Sequence, residues 1–336
     1  MKPIVIDIHA HFTPKLVFER FDAHASKFPG VKLKPEGKSY TLQFPGTDPT
    51  RPVMPRLSDL EDRRGWMDKN EIDHQMLGGW LDSFGYELEA REGAAWSRFL
   101  NDCMWDALKT EQRFTPLATV PLQDGKLAAD VLGEAMDKGF GGVMIGTLPA
   151  GVRGGNLDDP SLDPFWETAS KLGAAVYLHP MFVCGEPRLS DYDMVNAIGR
   201  VVDSTIAVTR LLYSGHLLKY SGLKFIVSHG GGALPFALGR LARSHAAGGK
   251  VADPRQGFNT MYFDSCVFDV DTFEYLARKV GTGRVMLGSD APFPIGDPEP
   301  RTVIASSSFN EAQKEEMLTG TAQKVFRVRS DCWCRS

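Results

Sequence analysis

Ile4-Val5-Ile6-Asp7-Ile8-His9-Ala10-His11 opens the chain with an apolar, β-branched run that ends on two histidines one residue apart. An apolar run without polar alternation marks a strand covered on both faces, the usual state of strands in a parallel sheet. Alternate strand residues point to the same side, so both imidazoles can meet one point at the strand's C-terminal end. Seven more runs of this kind follow: Ile72 to Leu77, Pro116 to Val120, Gly142 to Ile145, Ala175 to His179, Lys224 to His229, Met261 to Asp264 and Val285 to Asp290. With Ile4 to His9 they make eight, which predicts an α/β fold of the (β/α)8 TIM barrel type.

The segments between them support this order. Glu87 to Glu111 and Lys126 to Lys138 carry apolar residues at helical spacing, and Gly139 is placed to stop the second. Further helices are expected over Asp163 to Leu172, Val195 to Lys219, Leu234 to Ser244, Asp271 to Val280 and Asn310 to Thr319. Residues 22–55 are rich in Gly, Pro and Lys and read as a small insertion after the first strand, with Lys38 to Phe44 alternating like part of a hairpin. Leu148 to Pro160 reads as a long loop at the carboxyl end of a strand, where barrel enzymes assemble their sites. One domain spanning 1–336, with that insertion, is the economical organisation.

Composition narrows the function classes. A net charge of -4 with dispersed basic residues offers no cationic stripe for a phosphate backbone, so nucleic acid is not an expected partner. No run approaches the roughly 18 apolar residues of a membrane span, and Asp7 and His9 interrupt the N-terminus before a signal core could form. Five scattered cysteines are no disulfide framework, which points to a reducing cytoplasm. Cys332 and Cys334 form a C-x-C pair without partners at finger-like spacing.

An H-x-H pair alone can be two histidines satisfied by core hydrogen bonds. Its company changes the weighting. His179 ends the fifth expected strand, His229 the sixth and Asp290 the eighth, so a barrel brings all five groups to its C-terminal face. Imidazoles with a carboxylate suit a borderline divalent cation, zinc first and manganese as the alternative. His24, His74, His216 and His245 lack such partners and read as surface or packing residues. Gly230 to Gly232 permit a tight strand-to-helix turn that would also fix His229.

Taken together, DIHAHF, YLHP, SHGGGALPFALGRL and GSDAPFPIGDPEP resemble the amidohydrolase superfamily and, within it, the aminocarboxymuconate semialdehyde decarboxylase-like group. The resemblance runs from Asp7 to about Val328. It implies one divalent metal, non-oxidative decarboxylation of an aromatic or unsaturated carboxylic acid, and a homodimer. Carried over by motif, His9, His11, His179 and Asp290 would be the metal ligands and His229 the acid/base, working with Asp290. Arg240 would reach a substrate carboxylate, across the dimer interface in one arrangement, and a structural arginine capping the C-terminus of its helix is the competing reading. The group's early substrate-gripping arginine falls on Thr41 in an ungapped reading, which leaves Arg51 or Arg56 to take its place. A metal-dependent lactone or ester hydrolase is the alternative enzyme, and a barrel that binds metal or carboxylate without turnover is the non-enzymatic one.

Overall fold

The computed structural model describes residues 4–149, 155–181 and 186–329. Strand β1 (Ile6–His11) is followed by the pair β2 (Lys32–Glu36) and β3 (Ser39–Gln43). Then come β4 (His74–Gly78), β5 (Phe114–Ala118), β6 (Gly142–Gly146), β7 (Ala175–His179), β8 (Lys224–Val227), β9 (Tyr262–Asp264) and β10 (Val285–Met286). The helices are α1 (Lys15–His24), α2 (Leu60–Lys69), α3 (Ala90–Leu108), α4 (Gly125–Lys138), α5 (Asp163–Leu172), α6 (Arg200–Tyr213), α7 (His216–Lys219), α8 (Leu234–Ala246), α9 (Pro254–Phe258) and α10 (Val270–Val280), with shorter helices after β10.

Eight strands, β1 and β4 to β10, pair in parallel and in chain order. The extension of β10 returns to β1: Ile8 donates to Leu287 O at 2.9 Å, Asp290 to His9 O at 2.8 Å and His11 to Ala291 O at 2.8 Å. This is a (β/α)8 barrel, and its architecture explains the unbroken apolar runs. Every residue of β1, β4, β5, β6 and β7 is buried, because side chains inside the barrel pack on one another and those outside pack under helices. Helix α4 shows the local logic. Asp124 caps it by accepting from Leu127 N, Ala128, Val131, Leu132 and Ala135 are buried on one face, and Gly139 ends it at φ 107°.

The inserted β2 and β3 form an antiparallel hairpin, as the alternation over Lys38 to Phe44 suggested. It shares a separate apolar cluster with α1 and α3, in which Phe28, Leu42 and Trp96 are fully buried.

Several boundaries differ from the sequence reading. The third strand is Phe114–Ala118, not Pro116 to Val120, and the sixth and eighth stop at Val227 and Met286. His229 and Asp290 both have left-handed backbones, φ 53° and 59°, which no strand can hold, so they lie in turns just beyond the strand ends. The expected helix Val195 to Lys219 begins with a wide turn over Val195–Gly199 and breaks at Gly215, φ 77°. Asn310 to Thr319 likewise divides into Glu311–Glu315 and a wide turn over Glu316–Gly320. Residues 150–154 of the loop after β6, and the Cys332 and Cys334 pair, lie outside the described residues. Among the described residues no helix is long and apolar enough to cross a membrane.

Candidate metal centre

His9 and His11 leave β1 on the same side, and both are fully buried. His179 ends β7. Turns after β8 and β10 bring in His229 and Asp290. Asp290 Oδ1 lies 3.3 Å from His9 Nε2, 3.1 Å from His11 Nε2 and 3.9 Å from His179 Nε2. Asp290 Oδ2 lies 3.4 Å from His229 Nε2. Donor atoms of His9, His179, His229 and Asp290 fall within 4.8 Å of one another, and His11 Nε2 is 3.3 Å from His9 Nε2. All five expected side chains therefore meet at one place.

The outer nitrogens decide which way the rings present their lone pairs. His9 Nδ1 is 2.7 Å from Asp264 Oδ2, His11 Nδ1 is 3.1 Å from Gly79 O, and His179 Nδ1 is 2.9 Å from Pro180 O. Carboxylate and carbonyl oxygens only accept, so each Nδ1 carries the hydrogen and each Nε2 offers a lone pair to the centre. Among the described residues His229 has only the Ser228 hydroxyl beside Nδ1, at 3.3 Å, and its tautomer is not fixed in this way.

Among the described residues, two of the converging atoms, His179 Nε2 and Asp290 Oδ1, are buried without a hydrogen-bond partner. Buried polar atoms are rarely left so, and three inward lone pairs facing a carboxylate oxygen are a donor set that a divalent cation satisfies. Electrostatics agree for two of the three rings. Burial pushes the His11 and His179 imidazoles down, well down in the case of His179, which favours the neutral, ligating form. Burial also works on His9 and Asp290, but each is overcome by the other. Asp290 and Asp264 hold His9 well above its ordinary value, and the imidazoles hold Asp290 well below the usual carboxylate range.

The support beneath the centre was not apparent in the sequence. Asp7 Oδ1 accepts from the backbone of His9 and Ser289 at 3.0 and 3.1 Å, and its Oδ2 from Ser289 Oγ at 2.6 Å and Gln75 Nε2 at 2.7 Å. Arg63 of α2 joins Gln75 and the His11 carbonyl. Thus β1 and the Asp290 turn share one buried carboxylate, whose pKa is raised by that burial against the opposing hydrogen bonds. Asp264 is the clearer omission. The sequence placed it at the end of the seventh strand, at the same rim as His179, and a carboxylate there could have been added to the set.

The arginines separate. Arg51 lies 3.5 Å from Asp82, which follows β4 at the barrel mouth, whereas Arg56 pairs with Asp62 of α2 and lines a cavity of about 170 Å³ behind the Ala291 to Pro298 loop. Thr41, by contrast, is buried in β3. Arg200, not singled out by the sequence, donates to Pro180 O, the same oxygen that holds His179, and feels both Asp290 and Asp82. Arg240 is exposed on α8 and does not join the cluster of its own chain. His24, His74, His216 and His245 stand apart from the centre, against Phe99, Thr115, Ser214 and Val251 respectively.

A barrel with this rim defines a class, and the chain belongs to it: the amidohydrolase family, whose model matches residues 6–328. A curated relative, the 2-amino-3-carboxymuconate-6-semialdehyde decarboxylase of Dictyostelium discoideum, is 28% identical over 96% of this chain and 91% of its own length. Among solved structures, the 5-carboxyvanillate decarboxylase from Sphingomonas paucimobilis shares the fold at a TM-score of 0.81 and 24% identity, covering 98% of this chain and 100% of that one. The dihydroxybenzoic acid decarboxylase from Polaromonas sp. JS666, with bound manganese and 2-nitroresorcinol, has a TM-score of 0.78 at 23% identity, covering 99% and 100%.

Proposed function

We propose that this chain is a metal-dependent, non-oxidative decarboxylase acting on a small aromatic or unsaturated carboxylic acid. The convergence of three lone-pair-bearing Nε2 atoms on Asp290 Oδ1 carries the reading, and the decarboxylases among its relatives support it. His9, His11, His179 and Asp290 hold one divalent ion, zinc in our reading, with manganese the alternative raised by the Polaromonas structure. When bound, such an ion supplies Lewis acidity that anchors and polarises a substrate oxygen.

The chain's own residues do the rest. Cleavage breaks the bond to the carboxyl carbon, releases CO₂ and leaves an electron pair on the ring or alkene carbon, which must take a proton. His229 is placed to hold and deliver that proton, with Asp290 Oδ2 beside its Nε2. Arg51 at the mouth presents a guanidinium to a substrate carboxylate, with Asp82 keeping it there.

We further assign a homodimer. Phe236, 85% exposed, lies one helical turn from Arg240 on α8 and packs on the half-exposed Tyr275 of α10, giving an uncovered aromatic face beside a substrate-binding candidate. A two-fold contact there would carry Arg240 to the partner's site. The chemistry needs no membrane or nucleic acid, and the free, buried Cys103 and Cys266 suit a cytoplasmic enzyme.

The test is a panel of hydroxybenzoates, carboxymuconate semialdehydes and lactones offered to the zinc- or manganese-loaded protein. CO₂ release with loss of the acid is expected. Lactone opening without CO₂ would assign a hydrolase instead, and binding without turnover a non-catalytic barrel.

A further inference from the structure

Asp264 ends β9 and is fully buried, yet all of its acceptor capacity is used. Oδ2 takes the His9 Nδ1 hydrogen and the Tyr177 hydroxyl, each at 2.7 Å. Oδ1 takes Gly230 N at 2.9 Å and Cys266 N at 3.2 Å. To reach His9 on β1, the carboxylate must pass the extension of β10, and it does so over Gly288. A Cβ at Gly288 would stand 2.8 Å from Asp264 Cβ and 2.9 Å from His9 Cβ. Gly230 itself follows His229 in the left-handed turn and has φ 60°.

We propose that Asp264 is a positioning residue that fixes two groups at once: its Oδ2 sets the tautomer of His9, and its Oδ1 holds the turn that places His229. The inference rests on His9 being a metal ligand. An acceptor at Nδ1 forces the hydrogen onto that nitrogen and frees Nε2 to bind the ion. The other oxygen anchors the peptide next to His229, so the ion's site and the proton-transfer side chain are registered to one another through a single carboxylate.

Asp264→Asn tests this with little change in shape. An amide has one acceptor and one donor end, and both sides of Asp264 present donors. If the NH₂ faces His9, Nδ1 must accept, the hydrogen moves to Nε2, and the ligand is lost. If it faces Gly230 and Cys266, the turn is displaced. Zn²⁺ binding is read by competition with a chromogenic chelator, and thermal unfolding of the metal-free variant checks the fold. D264N is expected to bind Zn²⁺ roughly 10- to 100-fold more weakly, as removal of such outer partners does elsewhere, while Tyr177→Phe, which keeps the carboxylate, stays within about threefold. Wild-type affinity in D264N together with wild-type single-turnover CO₂ release, with affinity lost in His9→Ala, overturns the role of Asp264, because neither the His9 tautomer nor the His229 turn then depends on the carboxylate. Wild-type affinity in His9→Ala overturns the ligand assignment beneath it. Should D264N not fold, ¹⁵N-histidine NMR of zinc-loaded wild type decides, with the His9 signal identified by its loss in His9→Gln. An Nδ1–H tautomer is expected, and an Nε2–H tautomer refutes the proposal.

Discussion

His229 Nε2 lies 3.4 Å from Asp290 Oδ2, while the other oxygen of that carboxylate, Oδ1, faces His9, His11 and His179. One carboxylate thus has a side that faces the three imidazoles and a side that faces His229, which in the proposed function are the metal side and the proton side. Because the three remaining histidines and Oδ1 already make a four-donor set, His229 is free to carry a proton without being needed to hold the ion. His229→Asn should therefore retain metal and lose about 10²-fold or more in single-turnover CO₂ release. Metal content measured on the same samples separates the two functions: full metal with near-normal turnover would reduce His229 to a packing role, and loss of metal would make it a ligand.

The four proposed ligands predict the opposite pattern. Alanine at His9, His11, His179 or Asp290 should abolish stoichiometric metal, and chelation should silence the wild type until zinc or manganese is returned. The native state alone assembles this donor set, so a bound ion also stabilises it. At about a hundred times its dissociation constant that linkage is worth about 2.7 kcal/mol, or a Tm rise of about 4 °C for a chain this size. A chelated protein whose Tm does not respond to either ion would speak against a site built by folding.

Both sets of residues were legible in the sequence for the same reason. They sit at the ends of apolar runs, and a parallel barrel sends every such end to one rim. What was not legible acts through contacts between distant strands. Asp7 ties Ser289 to His9 across the closure of the barrel, and Asp203 of α6 joins the ends of β6 and β7. Neither has a local pattern, since an acidic residue in a strand or helix does not announce its partner. Turn geometry was hidden similarly. His229 and Asp290 look like strand termini by composition, and only the packed structure shows that each needs a left-handed backbone to aim its side chain inward.

Asp203 offers a test of stability in pH. Its Oδ2 accepts from Met181 N at 2.8 Å and from the Thr147 hydroxyl, and burial pushes its carboxyl up to about 6 against these hydrogen bonds and Arg200. A raised native pKa means that the folded state binds the proton more tightly than the unfolded chain. Stability from this group is therefore complete below about pH 4 and is lost as pH rises through about 6. Both donors meet the same oxygen, so an amide oxygen can replace it. Asp203→Asn should match wild type near pH 4 and become more stable above pH 6, by on the order of 3 kcal/mol. Thermal unfolding from pH 4 to 8 checks this, and a deficit in Asp203→Asn that grows as pH rises would show that the native structure uses the charge itself.

Arg240 yields the sharpest test of assembly. It is exposed in its own chain, on the helix that follows the His229 turn, yet the family resemblance gives it a substrate carboxylate. These statements agree if Arg240 serves the partner's site. In that arrangement Arg240→Ala and His229→Asn, each inactive as a pure homodimer, complement one another. A mixed dimer has one site with both defects and one with neither. Random pairing makes half of the dimers mixed, so equal co-expression should return about a quarter of wild-type activity. Differently tagged chains allow the mixed species to be isolated and its composition verified before assay. Purified mixed dimers with no recovered activity would place Arg240 within its own subunit or outside catalysis, and a chain that light scattering shows to be monomeric while active would remove the interface altogether.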